Sequence, residues 1–103
     1  MIDENLLKKV ADLLKEKKLK IATAESCTGG LISHTLTNIS GSSDYFDRGI
    51  VSYSNKSKTE LLEVPEDIIK KYGAVSKQVA KIMAENIRKK SKVDIGIATT
   101  GIA

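Results

Sequence analysis

The sequence predicts a single layered α/β domain, on two observations. Helical apolar stripes alternate with short apolar strands along the chain, and 103 residues fit one domain while leaving little for a second. With 41% hydrophobic and 29% charged residues, one Pro and seven Gly, the composition is globular and excludes disordered and fibrous classes. A chain of this size buries roughly two thirds of its unfolded surface, so single core residues matter.

From Glu4 to Lys18, Leu6, Leu7, Val10, Leu13 and Leu14 recur at helical spacing among lysines and acids, which predicts an amphipathic helix. Lys20 to Thr23 reads as a short strand. Ser26-Cys27-Thr28-Gly29-Gly30 breaks it, and Leu31, Ile32, Thr35, Leu36 and Ile39 resume a helical stripe. Gly41 to Asp44 is a loop, and Arg48 to Tyr53 has the β-branched and aromatic bias of a strand. A turn is expected at Ser54-Asn55 and a short helix at Ser57 to Leu62. Pro65 stands where a first helical residue would, ahead of Glu66 to Lys71, and Gly73 ends that helix. Ser76 suits the N-cap of a longer helix carrying Val79, Ala80, Ile82, Met83 and Ile87, and Val93 to Thr99 closes as a strand. The chain stops at Thr100-Gly101-Ile102-Ala103 with no covering helix after it. That ending predicts either an edge strand or the loss of sequence completing the sheet, and with it self-association into a homo-oligomer.

Composition also narrows function. The longest stretch free of charged residues, Ser26 to Ser43, holds too few apolar residues to span a bilayer, and the acidic start at Asp3 and Glu4 is unlike a secretory signal; a cytoplasmic, membrane-free protein is expected. One Cys and one His supply neither a disulfide nor a usual zinc set, so no metal is expected. The net charge of +4 invites a nucleic-acid reading. Against it, the lysines fall on helix ends and outer faces, and none of the four aromatics is interleaved with them as a base-stacking platform requires.

The segment Ala24 to Gly30 is the densest chemical cluster. A Ser or Cys at a strand-to-helix turn before two glycines sits at the carboxyl edge of a sheet, where backbone N–H groups of the next helix suit an oxyanion or a phosphate. The spacing fits no P-loop, dinucleotide fingerprint or G-x-S-x-G elbow, and a structural glycine turn is the competing reading. Ser26 and Cys27 are both candidate nucleophiles. A hydroxyl needs a base: His34 lies inside the helical stripe, and a lysine with a lowered pKa from the segment Tyr53 to Lys58 is the alternative.

Taken together, Ala24-Glu25-Ser26-Cys27-Thr28-Gly29-Gly30, then Phe46, Arg48, Gly49, Val51, Tyr53, Asn55 and Lys58 at their spacing, then Gly73-Ala74-Val75-Ser76 and Thr100-Gly101-Ile102-Ala103 resemble the CinA C-terminal domain family. The resemblance implies a three-layer α/β/α sandwich that hydrolyses the carboxamide of nicotinamide mononucleotide to the nicotinate nucleotide and ammonia, within the pyridine nucleotide cycle of NAD metabolism, without metal or cofactor. It maps the nucleophile to Ser26 and places Tyr53 and Lys58 beside it, with either as the base. It implies substrate contacts from Thr28, Gly29, Gly30, Asn55 and Thr100, and a pyridine nucleotide as the small-molecule partner. The family pattern runs on past the TGIA segment into further strands and a last helix. The chain is therefore expected to be the N-terminal two thirds of such a domain, incomplete at its C-terminus. The alternative function is a non-catalytic nucleotide-binding or assembly module of the same family.

Overall fold

The computed structural model describes residues 3–102. Met1, Ile2 and Ala103, the last residue of the TGIA segment, lie outside the described residues. The order is α1 (Glu4–Lys17), β1 (Ile21–Glu25), α2 (Leu31–Thr37), a 3₁₀ turn (Ser42–Asp44), β2 (Phe46–Val51), α3 (Asn55–Leu62), α4 (Glu66–Tyr72), α5 (Lys77–Ser91) and β3 (Ile95–Ala98). The three strands form one parallel sheet in the order β2-β1-β3, with β1 at the centre.

Alternation along β1 builds the two outer layers, because successive side chains leave a strand on opposite faces. Ala22 and Ala24 face a core of Leu62, Val64, Ile69, Val79, Met83 and Ile87 from α3, α4 and α5. Ile21 faces Ala11, Leu14, Leu36 and Tyr45 on the α1 and α2 side. The result is the α/β/α sandwich. Small residues let the helix layer come close: a Cβ on Gly96 would lie 2.3 Å from the carbonyl oxygen of Ala84 in α5. On the opposite face Gly49 has the same role, since its Cβ would collide with the Ser33 and Thr23 hydroxyls.

Several boundaries differ from the sequence reading, each for a local reason. β1 runs on through Ala24 and Glu25, residues of low strand propensity, because Ala24 pairs with both Ile50 and Ala98 and Glu25 pairs with Val51. β2 starts at Phe46 and ends at Val51 rather than spanning Arg48 to Tyr53. Beyond it the carbonyls of Ser52 and Tyr53 turn to Lys58. α3 begins at Asn55 rather than Ser57, because the Ser54 side chain caps it by accepting from the Ser57 N–H at 3.0 Å. Pro65 is the N-cap of α4 rather than its first helical residue. α2 stops at Thr37, short of Ile39, and β3 is confined to Ile95–Ala98. In α1 the buried stripe is Leu7, Val10, Ala11 and Leu14, leaving Leu6 and Leu13 exposed on its margin. The Ser76 cap of α5 is as expected, accepting from the Val79 N–H at 3.2 Å. Among the described residues β3 lies at one sheet edge and β2 at the other, and no helix is long and apolar enough to cross a membrane.

Two substitutions test this packing by urea denaturation. Gly96→Ala drives a methyl group into the α5 backbone and is expected to cost about 1–3 kcal/mol. Ser91→Ala removes a buried hydroxyl that has no hydrogen-bond partner among the described residues, and should be neutral or stabilising by about 1 kcal/mol. A loss of stability in Ser91→Ala comparable to that of Gly96→Ala would show that the Ser91 hydroxyl has a partner, such as a buried water.

Candidate active site at the carboxyl ends of the central strands

β1 and β2 are neighbours, yet the helix that follows β1 packs on one face of the sheet and the helix that follows β2 packs on the other. In open α/β sheets, connections that diverge in this way mark the carboxyl ends of the strands as the usual ligand position. Ser26 follows β1 to that end, and Lys58 reaches it from the first turn of α3.

Lys58 is 2% exposed and Ser26 4%. The Lys58 Nζ donates to three oxygens, each at 3.0 Å: Ser26 Oγ, the Ser52 carbonyl and the Tyr53 carbonyl. No carboxylate pairs with it among the described residues. Burial holds its pKa below the ordinary lysine range, and Cys27 nearby offsets part of that shift. The partner set fixes what the neutral amine can do. Carbonyls only accept, so the two of them hold the two remaining N–H bonds, and the lone pair is left for the one partner able to donate, the Ser26 hydroxyl. The arrangement is that of a base poised on a nucleophile.

The turn after Ser26 is held from the opposite face by Glu25, which is fully buried. One carboxylate oxygen accepts from the Thr28 hydroxyl at 2.7 Å and the Ile32 N–H at 2.8 Å; the other accepts from the Ser33 N–H and the Ser33 hydroxyl, both at 2.9 Å. Burial alone raises a carboxyl pKa, but these four bonds outweigh it and hold Glu25 below its ordinary range. Gly30, the N-cap of α2, has φ 109 and no side chain to cap with, so Glu25 does the capping from the strand. The N–H groups of Ile32 and Ser33 are thereby spent on an internal carboxylate and are not open to a ligand anion. The Gly29 N–H is also engaged, by the Ser26 carbonyl at 3.0 Å. Among the described residues the N–H groups of Cys27, Thr28 and Gly30 have no protein acceptor, and these line the turn beside Ser26.

The other residues singled out from the sequence fall into distinct places. The Tyr53 side chain is 63% exposed, and its hydroxyl bonds to neither Ser26 nor Lys58; only its carbonyl enters the site. Asn55 is exposed at the start of α3. Thr28 is joined to Thr99 hydroxyl to hydroxyl at 2.8 Å, and Thr100 donates to the Ala74 carbonyl at 2.7 Å, tying the end of β3 to the loop before α5. Cys27 is half-buried, its sulfur beside Gly101. His34 lies on the exposed side of α2. Glu25 is the site residue that the sequence reading left without a role. An acid inside an apolar strand, one residue before the candidate nucleophile, was the available signal.

The fold and the site define a parallel α/β/α domain with a buried hydroxyl–amine pair at the carboxyl ends of its strands. The family model of the CinA C-terminal domain matches residues 3–103. A CinA-like protein of Syntrophus aciditrophicus is 58% identical over 101 residues, covering 98% of this chain and 24% of its own length. A CinA-like protein of Thermotoga neapolitana is 48% identical over 103 residues, with 100% and 25% covered. Among solved structures, the competence/damage-inducible protein CihA of Agrobacterium tumefaciens superposes with a TM-score of 0.93 at 41% identity, covering 96% of this chain and 60% of that one. A CinA superfamily protein of Escherichia coli gives 0.92 at 33% identity, with 95% and 57% covered. The chain belongs to the CinA C-terminal domain family. It spans about a quarter of the length of the curated relatives it matches.

Glu25 predicts a pH dependence of stability. Its folded pKa lies below the unfolded value of about 4.3, so its contribution is present above that value and is lost as pH falls through the folded pKa. The stability gap between the wild type and Glu25→Gln should be widest near neutral pH and shrink below about pH 4. A gap that stays constant from pH 7 to pH 3 in urea titrations would show that the carboxylate charge contributes nothing.

Proposed function

We propose that this chain is the catalytic core of a metal-independent serine amidohydrolase acting on the carboxamide of a nicotinamide nucleotide. The observation that carries the reading is the buried Lys58 Nζ, 3.0 Å from Ser26 Oγ and with no carboxylate among the described residues to hold it as an ammonium. The substrate comes from the family resemblance, and the names of the relatives state no reaction.

In the proposed reaction Ser26 Oγ attacks the carboxamide carbon as its proton passes to Lys58 Nζ. The carbonyl oxygen gains the electron pair of the broken π bond and is held by the free N–H groups of Cys27, Thr28 and Gly30. Collapse of the tetrahedral intermediate breaks the C–N bond, and Lys58 returns the proton to the departing nitrogen, which leaves as ammonia. Water then attacks the acyl-serine with Lys58 again as base, and the carboxylate product and the free Ser26 hydroxyl are released. Tyr53, whose exposed ring makes no hydrogen bond to Ser26 and whose carbonyl is held by Lys58, is assigned to substrate contact rather than to proton transfer. A non-catalytic nucleotide-binding module is the outcome if the nucleotide binds without ammonia release.

Ammonia release by the full protein tests these assignments. Ser26→Ala should reduce kcat by at least about a thousandfold, while Cys27→Ala keeps most of it. Lys58→Arg retains the charge but offers no base at ordinary pH, and should be as inactive as Lys58→Ala. In the wild type kcat/KM should rise with pH through an apparent pKa below the usual lysine value of about 10.4. Near-normal turnover in Lys58→Arg would transfer the base to another group, and activity surviving Ser26→Ala but lost in Cys27→Ala would make the thiol the nucleophile.

A further inference from the structure

The hydroxyl groups around Glu25 have only one consistent set of proton positions. A carboxylate can only accept, so the hydroxyls of Thr28 and Ser33 must each spend their single hydrogen on it. Thr99 must then donate to Thr28, and Thr23 to Ser33, at 2.8 and 2.6 Å. Four hydroxyls and two backbone N–H groups thus point inward toward one buried anion, without any cation in the set. The network joins the central strand, the Ser26–Gly30 turn, α2 and the end of β3. Its centre, Glu25, is covalently next to Ser26 but faces the other side of the sheet.

We propose that Glu25 is a positioning residue of this site: by gripping Thr28 and the first N–H groups of α2, it fixes the turn that keeps Ser26 Oγ against Lys58 Nζ and closes Lys58 from water. Glu25 touches neither the nucleophile nor the base, so its effect passes through the backbone of residues 26 to 30. Among the described residues no other side chain caps α2, and the two glycines of the turn supply no stiffness, with φ 61 at Gly29 and 109 at Gly30. Loss of the grip frees the turn and admits water to the amine. The inference rests on the serine–lysine reading for its meaning in turnover, but its test does not require turnover.

The test is the titration of Lys58 followed by NMR of its side-chain carbon and nitrogen nuclei in the wild type, Glu25→Gln and Thr28→Val. Two mechanisms predict opposite signs. Loosening the turn rehydrates Lys58 and moves its pKa up toward about 10.4, whereas simple removal of a negative charge disfavours the ammonium and moves it down. Glu25→Gln is expected to raise the Lys58 pKa by more than about half a unit. Thr28→Val keeps the carboxylate and its bonds to α2 while cutting its bond to the turn, together with the Thr28–Thr99 bond, and is expected to produce a smaller rise. If Glu25→Gln fails to fold, Thr28→Val decides. An unchanged Lys58 titration in the folded variants would reduce Glu25 to a stability role, and a downward shift would assign it a charge effect; either result overturns the proposal. Failure of the amidase reading would appear separately, as nucleotide binding by the wild-type full protein without ammonia release.

Discussion

Every residue of the central strand β1 is buried, and from Ile21 to Ala24 each has a paired neighbour on both sides. A side chain there must be small and apolar or have all its hydrogen-bonding capacity met. Ala22 and Ala24 satisfy the first condition and let the α3, α4 and α5 layer settle on the sheet. Thr23 and Glu25 satisfy the second through Ser33 and Thr28. The strand's period of two then assigns Glu25 to one layer and Ser26 to the other, so that a single peptide bond separates the group that anchors the turn from the group offered to Lys58.

Two buried ionisable groups, Glu25 and Lys58, are treated in opposite ways by their surroundings. Glu25 is given four donors, and its charged form is favoured despite complete burial. Lys58 is given acceptors but no opposite charge, and burial disfavours its charged form. The same low-dielectric interior therefore holds a permanent anion on one face of the sheet and a depressed lysine on the other. For the reaction proposed here the second condition is the useful one, since a lysine acts as a base only when neutral. The cost is borne by folding: a depressed lysine pKa means the fold gains stability as pH rises between the folded value and about 10.4.

The helix N-terminus beside the serine turn illustrates how a general rule is redirected. Such a terminus ordinarily attracts a ligand anion. Here its first free N–H groups meet the protein's own carboxylate, and the donors left for a ligand belong to Cys27, Thr28 and Gly30, in the turn itself. For the reaction proposed here, the oxyanion falls to these turn donors beside Ser26 rather than to the helix axis.

The sequence by itself determined the α/β class, the order of helices and strands, the cap at Ser76 and the cluster around Ser26, because these are written in local periodicity, turn residues and short motifs. The family motif also carried Lys58 as a candidate, although from the residues alone it was one lysine among many and His34 an equal rival for the base. Only the tertiary structure separates their surroundings: α3 turns Lys58 toward Ser26 with three oxygens around its amine, and α2 turns His34 outward. The burial of Glu25, the spent N–H groups of α2 and Gly29, and the exposure of the Tyr53 ring were equally out of reach of the sequence. Each depends on which face of the sheet a residue meets and which distant backbone it finds there, and Thr28 with Thr99, 71 positions apart, shows why no local pattern could carry that information.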